Sequence, residues 1–116
     1  AIEMLRAEPV RLERGSAADW LAERLAAPPQ PGVTRVLMHS IVWQYVSDED
    51  KARIGAMMAE AGDKIGDRAG LAWLSLEANR DIHRHELRVR QWPGRDGMVH
   101  LANAHPHGAW VEWLED

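Results

Sequence analysis

A chain of 116 residues suits one domain built on one core. With 46% hydrophobic and 28% charged residues, a net charge of −4 and scattered Lys and Arg, it has a globular balance and no basic stripe for nucleic acid. The absence of cysteine excludes disulfides and thiolate metal sites, and with no apolar run near the ~18 residues of a membrane span and no signal-peptide pattern, a cytoplasmic protein without membrane contact is expected.

Along the chain, Ile2 to Ala7 is helix-compatible and Pro9 stops it. The alternation Val10-Arg11-Leu12-Glu13-Arg14 predicts a short, half-exposed strand. Ser16 with Asp19 forms a capping box, and Trp20, Leu21 and Leu25 follow at helical spacing until Pro28-Pro29. Val33 to Met38 opens the most apolar run and reads as a central strand buried on both faces. Ser47 with Asp50 is a second capping box, ahead of a stripe of Ile54, Met57, Met58 and Ala61, with Gly62 as the expected C-cap.

Leu71 to Leu76 reads as another buried strand. His85 to Trp92 alternates, with Leu87, Val89 and Gln91 on one face and Arg88, Arg90 and Trp92 on the other. Pro93 to Gly97 is a hairpin turn, Met98 to Ala104 the returning strand, and Ala109 to Leu114 a last strand. Trp43, Trp73, Trp92, Trp110 and Trp113 read as core and sheet-covering groups in a chain without Phe. The order α-β-α-β-α-β-β-β predicts an α/β fold in three layers: a mostly parallel sheet covered by helices, with a C-terminal antiparallel ribbon. The whole of 1–116 is expected to be one α/β domain. Because it opens on Ala1 in what reads as mid-helix, it is expected to be the C-terminal fragment of a longer protein.

The stretches DWLAERL, HSIVWQYVSDEDKARI, LAWLSLE, LRVRQWPG and AHPHGAWVEWL occur in this order from about Val10 to Leu114. In them the chain resembles the C-terminal part of the bacterial domain-of-unknown-function family 2332. The resemblance implies a longer protein with a class I methyltransferase-like (Rossmann-like) fold, whose upstream part carries a glycine-rich turn for S-adenosylmethionine. On that analogy Val10–Arg14, Val33–Met38 and Leu71–Leu76 are its third, fourth and fifth strands, and this chain is the substrate-facing half. Fold alone does not establish methyl transfer. The chain has no glycine-rich turn after a first strand, because GDKIGDRAG follows a helix and its glycines read as loop glycines. After the expected third strand, Ser16 stands where such folds often have an acidic residue. The cofactor is therefore unknown, and binding of S-adenosylmethionine by this chain alone is not expected.

Four side chains are candidates to line a cleft: His39, Tyr45, His105 and His107. His39 sits at the carboxyl end of the expected central strand, where open α/β sheets bind ligands, and an imidazole there can act as a general base. It can equally cap the strand together with Ser40. His105 and His107, two apart in an extended segment, point to one face and could hold a divalent ion with Glu112, in a spacing similar to that of cupin sites. Pro106 works against a regular strand there, and the bland reading is a turn whose histidines bond the backbone. His83 and His85 read as solvated loop residues, and His100 as either exposed or paired.

Three functional classes follow: the substrate-facing half of a methyltransferase-like enzyme, a non-catalytic binding or structural domain, or a His-based metal domain. The apolar strand Val33–Met38 is also expected to have an open edge. Either Val10–Arg14 closes it by pairing, or two copies join there as a homodimer.

Overall fold

The computed structural model describes residues 2–79, 81, 83–94 and 96–114. Helix α1 (Ile2–Ala7) buries none of its residues, and α2 (Ala17–Ala26) buries Ala18 and Leu21. Strand β1 (Thr34–Ser40) is followed by a 3-10 turn at Trp43–Tyr45 and by α3 (Asp48–Asp63). Four strands complete the chain: β2 (Gly70–Asn79), β3 (Arg84–Trp92), β4 (Val99–Ala104) and β5 (Val111–Trp113).

Both expected helix starts form, with the serine half of each capping box in place, while the Asp19 carboxylate accepts from Arg53 at 2.6 Å. Ser16 and Ser47 accept hydrogen bonds from the backbone N–H groups of Asp19 and Asp50, at 3.5 and 3.2 Å. Asp48, Glu49 and Asp50 in the first turn of α3 add charge of the sign that a helix N-terminus favours.

The five strands lie in sequence order, β1-β2-β3-β4-β5. Only β1 and β2 are parallel, joined through α3; the other three pairings are antiparallel. The fold is α/β, but the expectation of a three-layer, mostly parallel, Rossmann-like sheet is overturned. That expectation needed Val10–Arg14 as a strand feeding a first β-α-β unit. The segment forms no strand, and Val10 and Leu12 are 64% and 91% exposed. Pro9 removes a ladder donor, and a five-residue alternation without a partner strand has nothing to bury its apolar side against. The expected closure of the sheet by this segment therefore does not occur.

Helices α2 and α3 pack on one face of the sheet, where Ala18, Leu21, Ile54, Met58 and Ile65 meet Leu71 and Trp92. The register places Leu37, Trp73 and Trp92 on that same face. On the other face Val36 and Met38 remain 57% and 62% exposed, so β1 is an edge strand and not a doubly buried central one. Trp43, Trp73 and Trp92 join or pack against the core, whereas Trp110 and Trp113 are exposed.

Gly62 does not cap α3. The helix continues to Asp63, and Gly62 is buried where the helix crosses the Trp92 ring. A Cβ at this position would fall inside the van der Waals envelope of that ring. Gly62→Ala should therefore destabilise the domain by about 1–3 kcal/mol through overpacking, although alanine improves helix propensity by about 1 kcal/mol. The penalty should shrink in a Trp92→Leu background. Chemical denaturation checks both, and a Gly62→Ala variant as stable as the parent would show that the approach is looser.

Candidate functional site

A sheet face that packs against helices is ordinarily apolar. Here only one end of it is. The cross-strand row Leu71–Trp92 lies under the helices. Further along β2 the same face carries two polar rows: His39–Ser75–Arg88–His100 and Glu77–Glu86–Asn103–Glu112. Period-two alternation in LAWLSLEAN and RHELRVRQW puts these side chains on the side of Trp73 and Trp92.

Glu77 organises the first part of the site. Its Oε1 accepts from His39 Nδ1 at 2.9 Å and from the backbone N–H groups of Val42 and Trp43 at 3.1 Å each. His39 Nε2 accepts from Trp73 Nε1 at 2.9 Å. These partners specify the His39 tautomer protonated on Nδ1, with both ring nitrogens engaged. The imidazole stacks on Trp43, ring centroids 4.6 Å apart, and its side chain is only 11% exposed. Between them Ile41 holds φ at +53°, unusual for a β-branched residue.

The second part centres on Glu86. It accepts from Asn79 Nδ2 and from Arg88 Nε, both at 2.8 Å. His100 lies beside it, with Nε2 2.9 Å from Asn103 Oδ1 and 3.9 Å from the Glu86 carboxylate. That bond places a proton of His100 on Nε2, on a side chain 28% exposed. Burial works to raise the Glu86 carboxyl pKa, but the hydrogen bonds from Asn79 and Arg88, with the charges of Arg88 and His100, outweigh it. The group is held below the usual carboxylate value.

Between the two parts lies a cavity of about 250 Å³, lined by Trp43, Trp73, Ser75, Glu77, Glu86 and Arg88 among others. Among the described residues the Ser75 hydroxyl, midway along the first row, has no hydrogen-bond partner. The cavity thus offers one free hydroxyl, two anchored carboxylates, a guanidinium and aromatic walls.

The four expected cleft residues do not converge. His39 lines the cavity, but as an engaged structural group. Tyr45 is 81% exposed on the 3-10 turn. His105 and His107 form the turn between β4 and β5, at the opposite end of the sheet order from His39. His107 N–H donates to His105 Nδ1 at 3.1 Å, Gly108 N–H donates to the His105 carbonyl at 3.0 Å, and His105 N–H donates to the Trp110 carbonyl at 3.0 Å. Glu112 instead pairs with Arg84 at 3.5 Å, and among the described residues no group of three or more His, Cys, Asp or Glu is placed to hold a metal ion. His85, expected in a solvated loop, is buried on the opposite sheet face with Ala78 and Ala104 as strand neighbours.

The groups that do converge (Ser75, Glu77, Glu86, Arg88 and Asn103) were not singled out by sequence reasoning. A signal existed: polar residues at every second position of strands whose other face is apolar, with no helix left to cover them.

Two expectations follow. Glu86→Gln should cost about 1–3 kcal/mol at neutral pH, where charge-assisted bonds to Arg88 and Asn79 are lost. Because the folded-state pKa is lowered, the carboxylate's stabilisation is present above the unfolded value of 4.5 and disappears as pH falls through the folded one. The gap between parent and variant should therefore close on acidification below pH 4.5, and a gap constant from neutral to acid pH would contradict the assignment. His105→Ala should cost about 1 kcal/mol and His107→Ala less than about 0.5 kcal/mol, since only the His105 ring accepts a backbone bond. Melting curves distinguish them, and equal losses would refute the turn assignment.

The family model for uncharacterised proteins conserved in bacteria, DUF2332, matches residues 1–113. No curated protein and no solved structure shows significant similarity to the chain. Among the described residues, no helix is long and apolar enough to cross a membrane. The match spans nearly the whole sequence, and the chain belongs to the DUF2332 family.

Proposed function

We propose that the domain is a binding module for a small polar ligand, taken up in the cavity between the Trp43 turn and the two polar rows. The observation that carries this reading is the free Ser75 hydroxyl at the centre of a face whose acidic groups are already anchored. A site built of engaged carboxylates and a partly available guanidinium is preorganised to bond a ligand without rearranging. Arg88 reaches Glu86 while its side chain stays 43% exposed, so part of its donor fork remains open to an acceptor on the ligand. The cavity volume limits the ligand to roughly the size of an amino acid or a small sugar.

A catalytic role for His39 is disfavoured by its two occupied ring nitrogens, since a general base needs a lone pair aimed at the substrate. The methyl-transfer reading drew on a mostly parallel, Rossmann-like sheet, and that support is gone.

Amide and indole NMR spectra recorded against a panel of amino acids, amines, carboxylic acids and sugars test the proposal. At least one class should shift the Ser75, Arg88 and Trp73 indole resonances together, and Ser75→Leu, which fills the cavity, should abolish the response. S-adenosylmethionine in the same panel should leave these resonances in place. No concerted response from any class, or responses unaffected by Ser75→Leu, would rule the site out.

A further inference from the structure

Strand β1 ends the sheet, and its outer edge is open. Which backbone groups face outward follows from the bonds on the inner side. Val33 accepts from Gly70 N–H and Ile41 donates to the Leu76 carbonyl, so odd-numbered residues turn their peptide groups toward β2. Thr34, Val36, Met38 and Ser40 therefore present theirs to the outside. None of the usual guards of an edge is present: Thr34–Ser40 contains no Pro, no Lys and no bulge. The one permanent charge, Arg35, is folded away onto the Arg24 and Ala27 carbonyls at the end of α2, 3.0 Å from each.

The strand is also self-complementary. Read from its centre at Leu37, the sequence Thr-Arg-Val-Leu-Met-His-Ser is a chemical palindrome: hydroxyl with hydroxyl, basic with imidazole, apolar with apolar. An antiparallel two-fold pairing centred on Leu37 sets Thr34 against Ser40, Arg35 against His39, and Val36 against Met38. It also satisfies the parity requirement, because every outward-facing residue meets another outward-facing one. A register displaced by one residue would oppose outward groups to inward ones and form no ladder.

We propose that the partner of this edge is a second copy of the chain, joined by antiparallel pairing of β1 with β1 about a two-fold axis at Leu37. The pairing forms a continuous sheet of ten strands. It brings together the exposed side chains of Val36 and Met38 from both copies, 57% and 62% exposed in one copy, and ends on Val33 against Ile41, 44% and 43% exposed. The interface is isologous, as a closed dimer requires. The polar cavity of each copy lies on the other face, the one that α2 and α3 pack against, so the paired Val36 and Met38 side chains do not fill it.

Sedimentation of the whole chain across micromolar to millimolar concentration should carry the mass from 13.1 kDa to twice that value. Hydrogen exchange should show the Val36 and Met38 amides slowed at least tenfold at the high end, while those of Leu37 and His39 are protected at both ends. Met38→Pro removes an outward donor that the single chain does not use, and should return the mass to one chain. Val36→Lys, which keeps the backbone donor but sets two charges into the pairing, should do the same with the far-UV spectrum unchanged. A chain that stays monomeric at millimolar concentration overturns the proposal. So does a dimer that leaves the Val36 and Met38 amides unprotected, or that withstands both substitutions, since its contact would lie elsewhere.

Discussion

One carboxylate holds the site together. Glu77 joins three pieces of chain: the end of β1 through His39, the turn after it through the Val42 and Trp43 amides, and β2, from which it projects. The turn needs such an anchor. Ile41 sits in the left-handed region, where a β-branched residue costs about 1–3 kcal/mol. Hydrogen bonds to an ionised acceptor contribute about 1.5–3 kcal/mol each, so the two amide bonds to Glu77 outweigh that strain. With the turn fixed, Trp43 stacks on His39 and forms one wall of the cavity.

The same anchor resolves an electrostatic conflict. Glu77 and Glu86 stand directly opposite in the antiparallel ladder, an arrangement that is destabilising when both charges are bare. Each is neutralised on its own side: Glu77 by amides and the His39 ring, Glu86 by Arg88 and Asn79. Neither carboxylate calls on the Ser75 hydroxyl, and Arg88 spends only part of its donor set. A polar face satisfied in this way is rigid, and it bonds a ligand with what is left over. This is the physical basis for reading the site as a binding surface whose histidines orient it.

Much of the scaffold was legible because it rests on local chemistry. Ser16 and Ser47 announce their helices through side-chain bonds three residues away, and the alternation of LRVRQW sorts the faces of β3 correctly. The errors share one cause, which is that pairing is not local. Val10–Arg14 has the alternation of a strand but no neighbour to pair with, and without it the second parallel unit and the Rossmann-like sheet disappear. Val33–Met38 has the apolar content of a central strand, yet only the sheet order makes it an edge. Gly62 has the position of a helix cap, and only the approach of Trp92, 30 residues later in sequence, gives it another role. The site was hidden for the same reason. His39 and Glu77 are 38 residues apart and meet through the parallel crossover, and Glu86 reaches Glu77 only through the register of β2 with β3. The pair His105–His107 attracted attention by its spacing, and the His105 ring serves the turn by accepting the His107 backbone N–H.

The most direct test of this account is the proton distribution on the His39 ring. Side-chain nitrogen NMR at neutral pH should find Nδ1 protonated and Nε2 bare, with the Trp73 indole N–H shifted downfield and slow to exchange. In Glu77→Gln the same spectrum should show the Nδ1 tautomer weakened and the Val42 and Trp43 amides exchanging faster. A His39 ring protonated on Nε2, or one indifferent to the loss of the Glu77 carboxylate, would contradict the claim that this network builds the site.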